Sequence, residues 1–579
     1  MSMNVQHGVS WELLREYGLE YAPSYAPRAA VELSWPVLAE RIAGVGYLLV
    51  DESLEYNPPI RTHCRTLLLS EARAVIYDSR ARNIHDAFGC RMDQERFAIL
   101  RRARREILVL SASGECFKRI DLSRVSAHPP RILCWTGRKT FLVNFATPGL
   151  SSEIVEVDLQ GRVLWNLVGA SGAVRLPGSM QLLENDSILI ANERAHVVEE
   201  LHRDGSTAIR WGKQNLPSAE QGSLFSPKWA QQLDNGTLLI ADAFNHRCLA
   251  IDVAGRVSTI QPNDASFLIP SAIAPASDGN YLICDAGLRC VLELDAMNRI
   301  LWQVGVTRVR KRYLSFPRSV QRLDGGVYVI ADTAHNRIVE FDGALHRESR
   351  ASDGASLLWP RAARRTGKGT TLVADGRNSR ILELAADGRM LRQLSVLRYG
   401  GQGIELEDPH DVRLLPNLNL LVTDSAANLV FESDWRGNAV WVVGPVAGST
   451  VEDPHSAQML SDGRIMISDS GNHRILFVDP RTGTSLAMTE FQSRTARYPL
   501  SYPRYAEVAE DGTLVVVDSH NNRVLGADLD GNLLWELSRV PRSPLPFLHF
   551  PRWAHALSRD EVVVSDHFNH RIVHVRRLS

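Results

Sequence analysis

Six prolines in the C-terminal half of the chain are each followed by a basic or potentially basic residue: Arg318, Arg361, His410, His455, Arg504 and Arg552. Arginine holds a carboxylate, phosphate or sulfate through two parallel hydrogen bonds. Histidine titrates near neutrality and can take or give a proton. The residues before these prolines are patterned too. Phe316, Trp359, Tyr502 and Phe550 give aromatic-Pro-Arg, whereas Glu407-Asp408 and Glu452-Asp453 precede the two Pro-His pairs. The set predicts an anion site. Arg318, Arg361, Arg504, Arg552 and Tyr502 would bind the substrate. His410 and His455 would supply acid/base function, oriented or charged by Asp408 and Asp453. The competing reading is structural: each arginine packs its stem on the neighbouring ring and bonds the next repeat. Repeats inherit such residues together, so six occurrences are not six independent facts. No cofactor is expected, although two histidines with carboxylates could hold a divalent metal.

The elements that position these residues recur. Ser461 to Pro480 reads as an apolar strand ending at Asp469, a tight turn and a return strand starting at Arg474. The same pattern recurs with its key Asp or Asn at Asn144, Asn192, Asp242, Asp285, Asp332, Asp375, Asp424, Asp518 and Asp566. The spacing of roughly 43 to 50 residues is that of four strands per β-propeller blade. A fourth strand carries Trp165, Trp211, Trp302, Trp441 and Trp535, expected to pack blade on blade. Degraded copies reach back through Ser111 to Asp51. About twelve units result, so the expected fold is all-β: two tandem six-bladed propellers of four-stranded antiparallel blades, with five plus seven as another split. The expected domains are an N-terminal arm over 1–30 with a short helix at Trp11 to Tyr17, a propeller over 31–305 and a second over 306–579. The chain ends after a third strand. The missing outer strand must come from Ile300 to Gly305 or from the N-terminal segment.

The block Asp-x-x-Asn-x-Arg occurs at Asp242/Asn245/Arg247, Asp375/Asn378/Arg380, Asp469/Asn472/Arg474, Asp518/Asn521/Arg523 and Asp566/Asn569/Arg571. It resembles the NHL repeat, and the likeness covers most of residues 130 to 579. Asp285 and Asp424 depart from it; Leu429 stands where arginine is expected. Physically, Asn suits a left-handed turn and the Asp can bond the Arg. These residues, with His246, His473 and His570, therefore read as structural. The resemblance implies a β-propeller but no single activity. Such propellers include amidating lyases, Pictet-Spengler synthases, alkylating enzymes of natural-product pathways and protein- or RNA-binding modules. The lyases of this fold bring histidines from separate blades to a zinc at the Pro-His position; only two histidines occupy it here. PHDVRLLPNLNLLVTD also resembles a strand segment of arylsulfotransferases, with Leu418 where their glycine is expected.

At the equivalent positions the N-terminal repeats carry Val37, Arg131, Gly178, Lys228 and Ser271, a mixed set, so the second ring is the better candidate site. Long connections in that ring place Arg310, Lys311, Arg312, Tyr313, Arg398, Tyr399, Tyr498 and Tyr502 where they would roof its channel. The cluster Arg101, Arg102, Arg104 and Arg105 reads as a solvated strand edge, less readily as an anion contact.

The chain has 579 residues and a formal net charge of −1. That charge argues against DNA or bulk nucleic acid as a partner. Seven cysteines without metal-ligand spacing read as buried reduced thiols. No secretory signal and no membrane-spanning apolar run is legible, so a cytoplasmic protein is expected. The leading expectation is an enzyme of small-molecule, natural-product-like metabolism (a lyase, transferase or bond-forming enzyme) acting on a small anion. The alternative is a non-catalytic NHL-repeat scaffold binding a protein or single-stranded RNA on its loop face.

Overall fold

A computed structural model describes residues 10–21, 33, 36–55, 61–82, 84, 86–146, 152–168, 177–277, 279–304, 309–341, 345–349 and 356–578. The chain divides into two compact units. One comprises Tyr21–Glu55 and Ile60–Lys311; the other comprises Met1–Glu20, Tyr56–Pro59 and Arg312–Ser579. Among the described residues both are built of four-stranded antiparallel sheets and short 3-10 turns, with no α-helix. This is the all-β architecture of a β-propeller.

The second strand of each sheet explains the burial pattern. Ile465–Asp469 is buried at every position, as are Leu514–Asp518 and Thr371–Asp375. A strand covered on both faces needs apolar residues throughout rather than alternation. In the C-terminal unit the first strands are Pro317–Arg322, Pro360–Arg365, Pro409–Leu414, Pro454–Met459, Pro503–Val508 and Trp553–Ser558. Each lies against the next, and the last lies against the first. The N-terminal unit repeats this with Pro36–Ile42, Ala87–Arg91, Pro130–Trp135, Pro177–Leu182, Pro227–Gln232 and Pro270–Pro275.

The expected helix at Trp11 to Tyr17 is instead a strand, Ser10–Tyr17, paired antiparallel with Arg571–Leu578 from Ser10↔Leu578 to Tyr17↔Ile572. Tertiary pairing overrides the helix propensity of its Glu, Leu and Arg residues. The N-terminal segment thus supplies the fourth strand that the last sheet lacks. Ile300–Val304, the other candidate, completes the sheet of Cys290–Leu294. The borrowed strand is fastened by Trp11 edge-on to Trp535 at 5.3 Å, by Tyr17 stacked on Phe341, and by Glu16 paired with buried Arg571 at 3.0 Å.

The Asp-x-x-Asn-x-Arg turns hold the sheets as expected, with one correction. Asp469 accepts Nε–H of Arg474 at 2.6 Å, and Asp518 accepts Arg523 at 2.8 Å. Asp469 also accepts the Glu452 backbone N–H at 2.8 Å, tying the turn to the connection before its own sheet. The left-handed residue, however, is not the Asn but the one after it: His246, Ser379, His473, Asn522 and His570 have φ between 52° and 56°. The Asn amide bonds the Asp instead, as Asn521 does to Asp518 at 2.8 Å. Where the Arg is missing, backbone N–H groups replace it. Asp424 accepts those of Glu407 at 2.8 Å and Asp408 at 3.0 Å.

All seven cysteines are free, and Cys116 is exposed rather than buried. Arg101 and Arg102 do not form a solvated edge: Arg101 pairs with Glu106 at 2.5 Å and Arg102 with Glu52 at 2.6 Å.

Candidate anion site at the mouth of the C-terminal unit

The left-handed turn residue has a second task. In five of the six C-terminal turns its side chain accepts the backbone N–H of the residue before the next sheet's proline; Ser379 instead donates to the Glu407 carbonyl. Tyr502 N–H bonds His473 Nδ1 at 3.0 Å, Phe550 bonds Asn522 Oδ1 at 2.8 Å, Trp359 bonds Asn336 Oδ1 at 2.7 Å and Phe316 bonds His570 Nδ1 at 3.1 Å. Asp453 bonds Asn428 Oδ1 at 2.7 Å. The latched residues themselves have positive φ: 50° at Phe316, 57° at Trp359, 45° at Asp453, 55° at Tyr502 and 53° at Phe550. Bulky side chains rarely adopt this conformation, and it persists only where surrounding bonds enforce it. Here it seats rings beside guanidinium groups. Arg504 lies 4.6 Å from the Tyr502 centroid and Arg552 lies 4.5 Å from that of Phe550.

The structure brings the predicted residues into one cluster with unequal partners. Asp408 accepts two hydrogen bonds from Arg361, that from Nε at 2.9 Å, and lies 3.4 Å from His410 Nε2. Burial opposes ionisation of Asp408, but His410 and Arg361 outweigh it and hold the carboxyl below its usual range. Gly376 makes room for this pair, because a Cβ there would collide with Asp408 and Arg361. Asp453 accepts hydrogen bonds from the hydroxyls of Tyr502 and Ser425. Burial and then Asp453 push the Tyr502 phenol up to about 12, so it is a neutral donor to that carboxylate.

The histidine rings meet edge to face at 4.3 Å. His455 Nδ1 lies 2.8 Å from the Asp453 carbonyl oxygen, and its Nε2 faces Arg504 Nη1. These two contacts define one tautomer: Nδ1–H donates and Nε2 accepts. Burial lowers His410 to about 3, with Arg361 and Arg318 adding to it against the pull of Asp408. Burial, then Arg504 and His410, likewise place His455 well below the ordinary range. Both rings are neutral at neutral pH.

Arg318 and Arg552 differ from Arg361. Neither makes a hydrogen bond or ion pair through its side chain among the described residues, and the buried Nε of Arg318, Arg504 and Arg552 and Nη1 of Arg552 have no acceptor. Burial, reinforced by neighbouring guanidiniums, pulls Arg318 and Arg552 well below the normal arginine range. Arg504 falls to about 10, chiefly from burial. Buried charge without a partner is costly, and a bound anion relieves that cost.

Below the mouth, Arg364 bonds Asp411 at 3.0 Å and 3.2 Å and lies over Trp553 at 4.5 Å, while Tyr505 stacks on Trp553 at 4.1 Å and donates to Glu507 at 2.7 Å. This paired layer floors the site.

Of the residues expected to roof the channel, Tyr498 is buried beneath Arg523. Arg398 and Tyr399 sit on a hairpin bridged to Asn438 at the start of an outermost strand, Ala439–Val443. The side chains of Arg310, Lys311 and Arg312 lie outside the described set. Sequence reasoning missed Gly376, Arg377, His520 and His567. Arg377 lies 5.4 Å from the Trp359 ring, His520 stacks on Tyr502 at 4.4 Å, and His567 lies 3.0 Å from the Pro317 carbonyl. All four occupy variable positions of the Asp-x-x-Asn turn, which the repeat pattern alone does not single out. The site does not fit a divalent cation: His410 Nε2 faces Asp408, His455 Nε2 faces a guanidinium, and no three His, Cys, Asp or Glu side chains converge among the described residues.

No family model matches the chain, and no curated protein matches its sequence. Solved structures do. A streptogramin B lyase is 13% identical over 53% of this chain and 93% of its own, with a TM-score of 0.32. The virginiamycin B lyase of Staphylococcus aureus is 12% identical over 60% and 94%, with a TM-score of 0.33. The extracellular domain of a putative one component system of B. thetaiotaomicron is 12% identical over 94% and 76%, with a TM-score of 0.32. At these scores the likenesses carry no argument about activity, and the fold rests on the sheets themselves.

Proposed function

We propose that the C-terminal unit is a six-bladed ring of NHL-like repeats whose mouth binds a small organic anion and performs acid/base chemistry on it, and that the N-terminal unit is a second six-bladed ring. The closed succession of first strands supports the ring count. One observation carries the anion reading: Arg318 and Arg552, half-buried and with their Nε shielded from water, make no ion pair among the described residues and stand beside Arg504. A carboxylate, phosphate or sulfate seated among the three supplies what each lacks. Arg361 is already satisfied by Asp408 and acts as a positioning residue for His410.

The histidines follow from the anion. Arg504 covers His455 Nε2. An anion that draws Arg504 towards itself uncovers that lone pair, and its negative charge makes the imidazole more basic. His455 then accepts a proton at Nε2 while its Nδ1–H stays on the Asp453 carbonyl. His410 and Asp408 form the second proton-handling pair. The substrate class is a small anion with an acidic proton near the charge, which suits a lyase or bond-forming enzyme of natural-product-like metabolism.

The test separates binding from chemistry. Thermal unfolding is followed with inorganic phosphate, sulfate and a series of carboxylates. Stabilisation at about 100 times Kd should approach 2.7 kcal/mol. His455→Ala should retain it and abolish turnover of any anion that proves to be a substrate. If no anion stabilises the protein, the reading is wrong. If one does and His455→Ala keeps full turnover, the mouth is a binding site without the proposed acid/base role.

A further inference from the structure

The N-terminal unit contains a cavity of about 770 Å³ at the far end of its first strands, the end away from the prolines. The same ladder of positions explains both this space and the smaller one, about 290 Å³, in the C-terminal unit. Four residues after each proline, the C-terminal unit places Gln321, Arg364, Arg413, Gln458, Glu507 and His555, with Asp411 beside them. The charged members narrow the channel by bonding through Asp411 and Tyr505, while Gln321 and Gln458 accept the backbone N–H groups of Arg365 and Val508. Arg364 pairs with Asp411 at 3.0 Å, and Arg413 donates to Tyr505, which donates to Glu507. At the matching levels the N-terminal unit places Leu38, Phe88, Ile132 and Trp229, then Glu40, Cys90, Cys134, Gln181 and Gln231, and all of them line the cavity. Thiols and amides are shorter than guanidiniums and do not meet across the axis.

Glu40 and Arg91 both line the cavity. Glu40 Oε2 accepts the Arg91 backbone N–H at 2.8 Å, while Oε1 has no hydrogen-bond partner among the described residues. The Arg91 side chain is turned to the Arg41 carbonyl at 3.0 Å, so it does not neutralise Glu40 as an ion pair. Asp234 at the rim adds a second carboxylate. The thiols are inert walls: burial, then Glu40, pushes Cys134 up to about 12. Burial also raises the Glu40 carboxyl, against Arg91, which marks a carboxylate that gains from a cation brought to it.

We infer that this cavity is a second binding site, for an amphipathic small molecule whose apolar body lies against Leu38, Phe88, Ile132 and Trp229 and whose protonated amine bonds Glu40. Its volume falls in the range of small-molecule sites, and its wall is about evenly polar and apolar, which suits an amphipathic guest. The site is separate from the anion mouth, opposite to it in charge preference, and does not depend on it.

The full-length protein is titrated by calorimetry with a naphthylethylamine, the matching naphthyl alcohol and naphthylacetate. The amine should bind one per chain and at least tenfold more tightly than the alcohol, and naphthylacetate should not bind at this site. Glu40→Gln should remove the preference for the amine and leave the alcohol unchanged. Gln231→Trp, which fills the cavity from a side chain with no hydrogen bonds of its own, should abolish both. An unchanged unfolding temperature shows that each variant is folded, and Arg318→Ala should leave the amine untouched. The inference is overturned if none of the three binds, if amine and alcohol bind equally, if the preference survives Glu40→Gln, or if Gln231→Trp has no effect.

Discussion

The mouths of the two units share a backbone plan and differ in how their charges are matched. In the N-terminal unit, Arg102 pairs with Glu52 and bonds the Arg131 carbonyl, and Lys228 pairs with Glu193. Arg131, at the equivalent of the C-terminal arginines, stands near Glu193 and Glu52. Ion pairs close that mouth at Arg102 and Lys228, while Arg131 Nη1 has no acceptor among the described residues and burial lowers its pKa. In the C-terminal unit four arginines meet two aspartates, one of which, Asp408, is taken by Arg361 and His410 and the other, Asp453, by hydroxyl groups. A mouth that keeps arginines unpaired is held ready for a charge from outside.

The units also differ in closure, and the largest expected effect follows from that. Removing residues 1–17 deletes the fourth strand of the last C-terminal sheet and leaves Arg571 facing Asp566 without Glu16. Amide hydrogen exchange should show global loss of protection in the C-terminal unit. The N-terminal unit should keep its protection, because its last sheet is completed by Ile300–Val304. Equal loss in both units would break the comparison.

Next in size is a pair of substitutions with opposite signs. Arg102→Leu strands the Glu52 carboxylate and should destabilise the protein by about 3 kcal/mol, as loss of one partner of a buried pair does. Arg552→Leu removes a half-buried charge that has no ion-pair partner among the described residues. It should be neutral or stabilising by about 1 kcal/mol in the empty protein, while weakening anion binding at least tenfold. Chemical denaturation with and without anion measures both. Two losses of similar size would mean that Arg552 is structural.

The pH dependence should sharpen the difference further. His410 titrates at about 3 in the folded protein, against 6.5 when free. The unfolded chain therefore binds a proton in this window that the folded protein does not. Stability should fall as pH drops from about 6.5 towards 3, by at most about 1.4 kcal/mol per pH unit for this proton. His410→Gln should flatten that slope, and a bound anion should also reduce it. A slope unchanged by the substitution would place the titrating groups elsewhere. The smallest expected effect is at the outer hairpin: Tyr399→Ala should change anion affinity less than twofold. A large loss of binding to a protein or single-stranded RNA in that variant would favour the scaffold alternative.

Much of this was legible from the repeat. The turn block carries its own hydrogen-bonding logic, so Asp469 and Arg474 announced the hairpin, and counting from it found the proline ladder. Three things were not legible. Trp11 to Tyr17 has helix-forming residues, and only its distant partner Arg571–Leu578 makes it a strand. Which arginines lack partners depends on cross-blade neighbours such as Asp408, forty-seven positions from Arg361, which no local pattern contains. The N-terminal cavity is a matter of side-chain length around an axis. It is visible only when Cys90, Cys134 and Gln231 are set against Arg364, Arg413 and Glu507 at the same level.

The central claim is that the C-terminal mouth holds an anion because Arg318 and Arg552 are unpaired. Calorimetric titration of the full-length protein with phenyl phosphate, benzoate and sulfate tests it most directly, using the wild type, Arg318→Ala, Arg552→Ala and Arg102→Ala. The prediction is that at least one anion binds one per chain, and that both C-terminal variants lose at least tenfold in affinity. Arg102→Ala, at an ion-paired position of the N-terminal mouth, should lose none. Absence of binding by all three anions, or equal affinity in the wild type and the C-terminal variants, would contradict it.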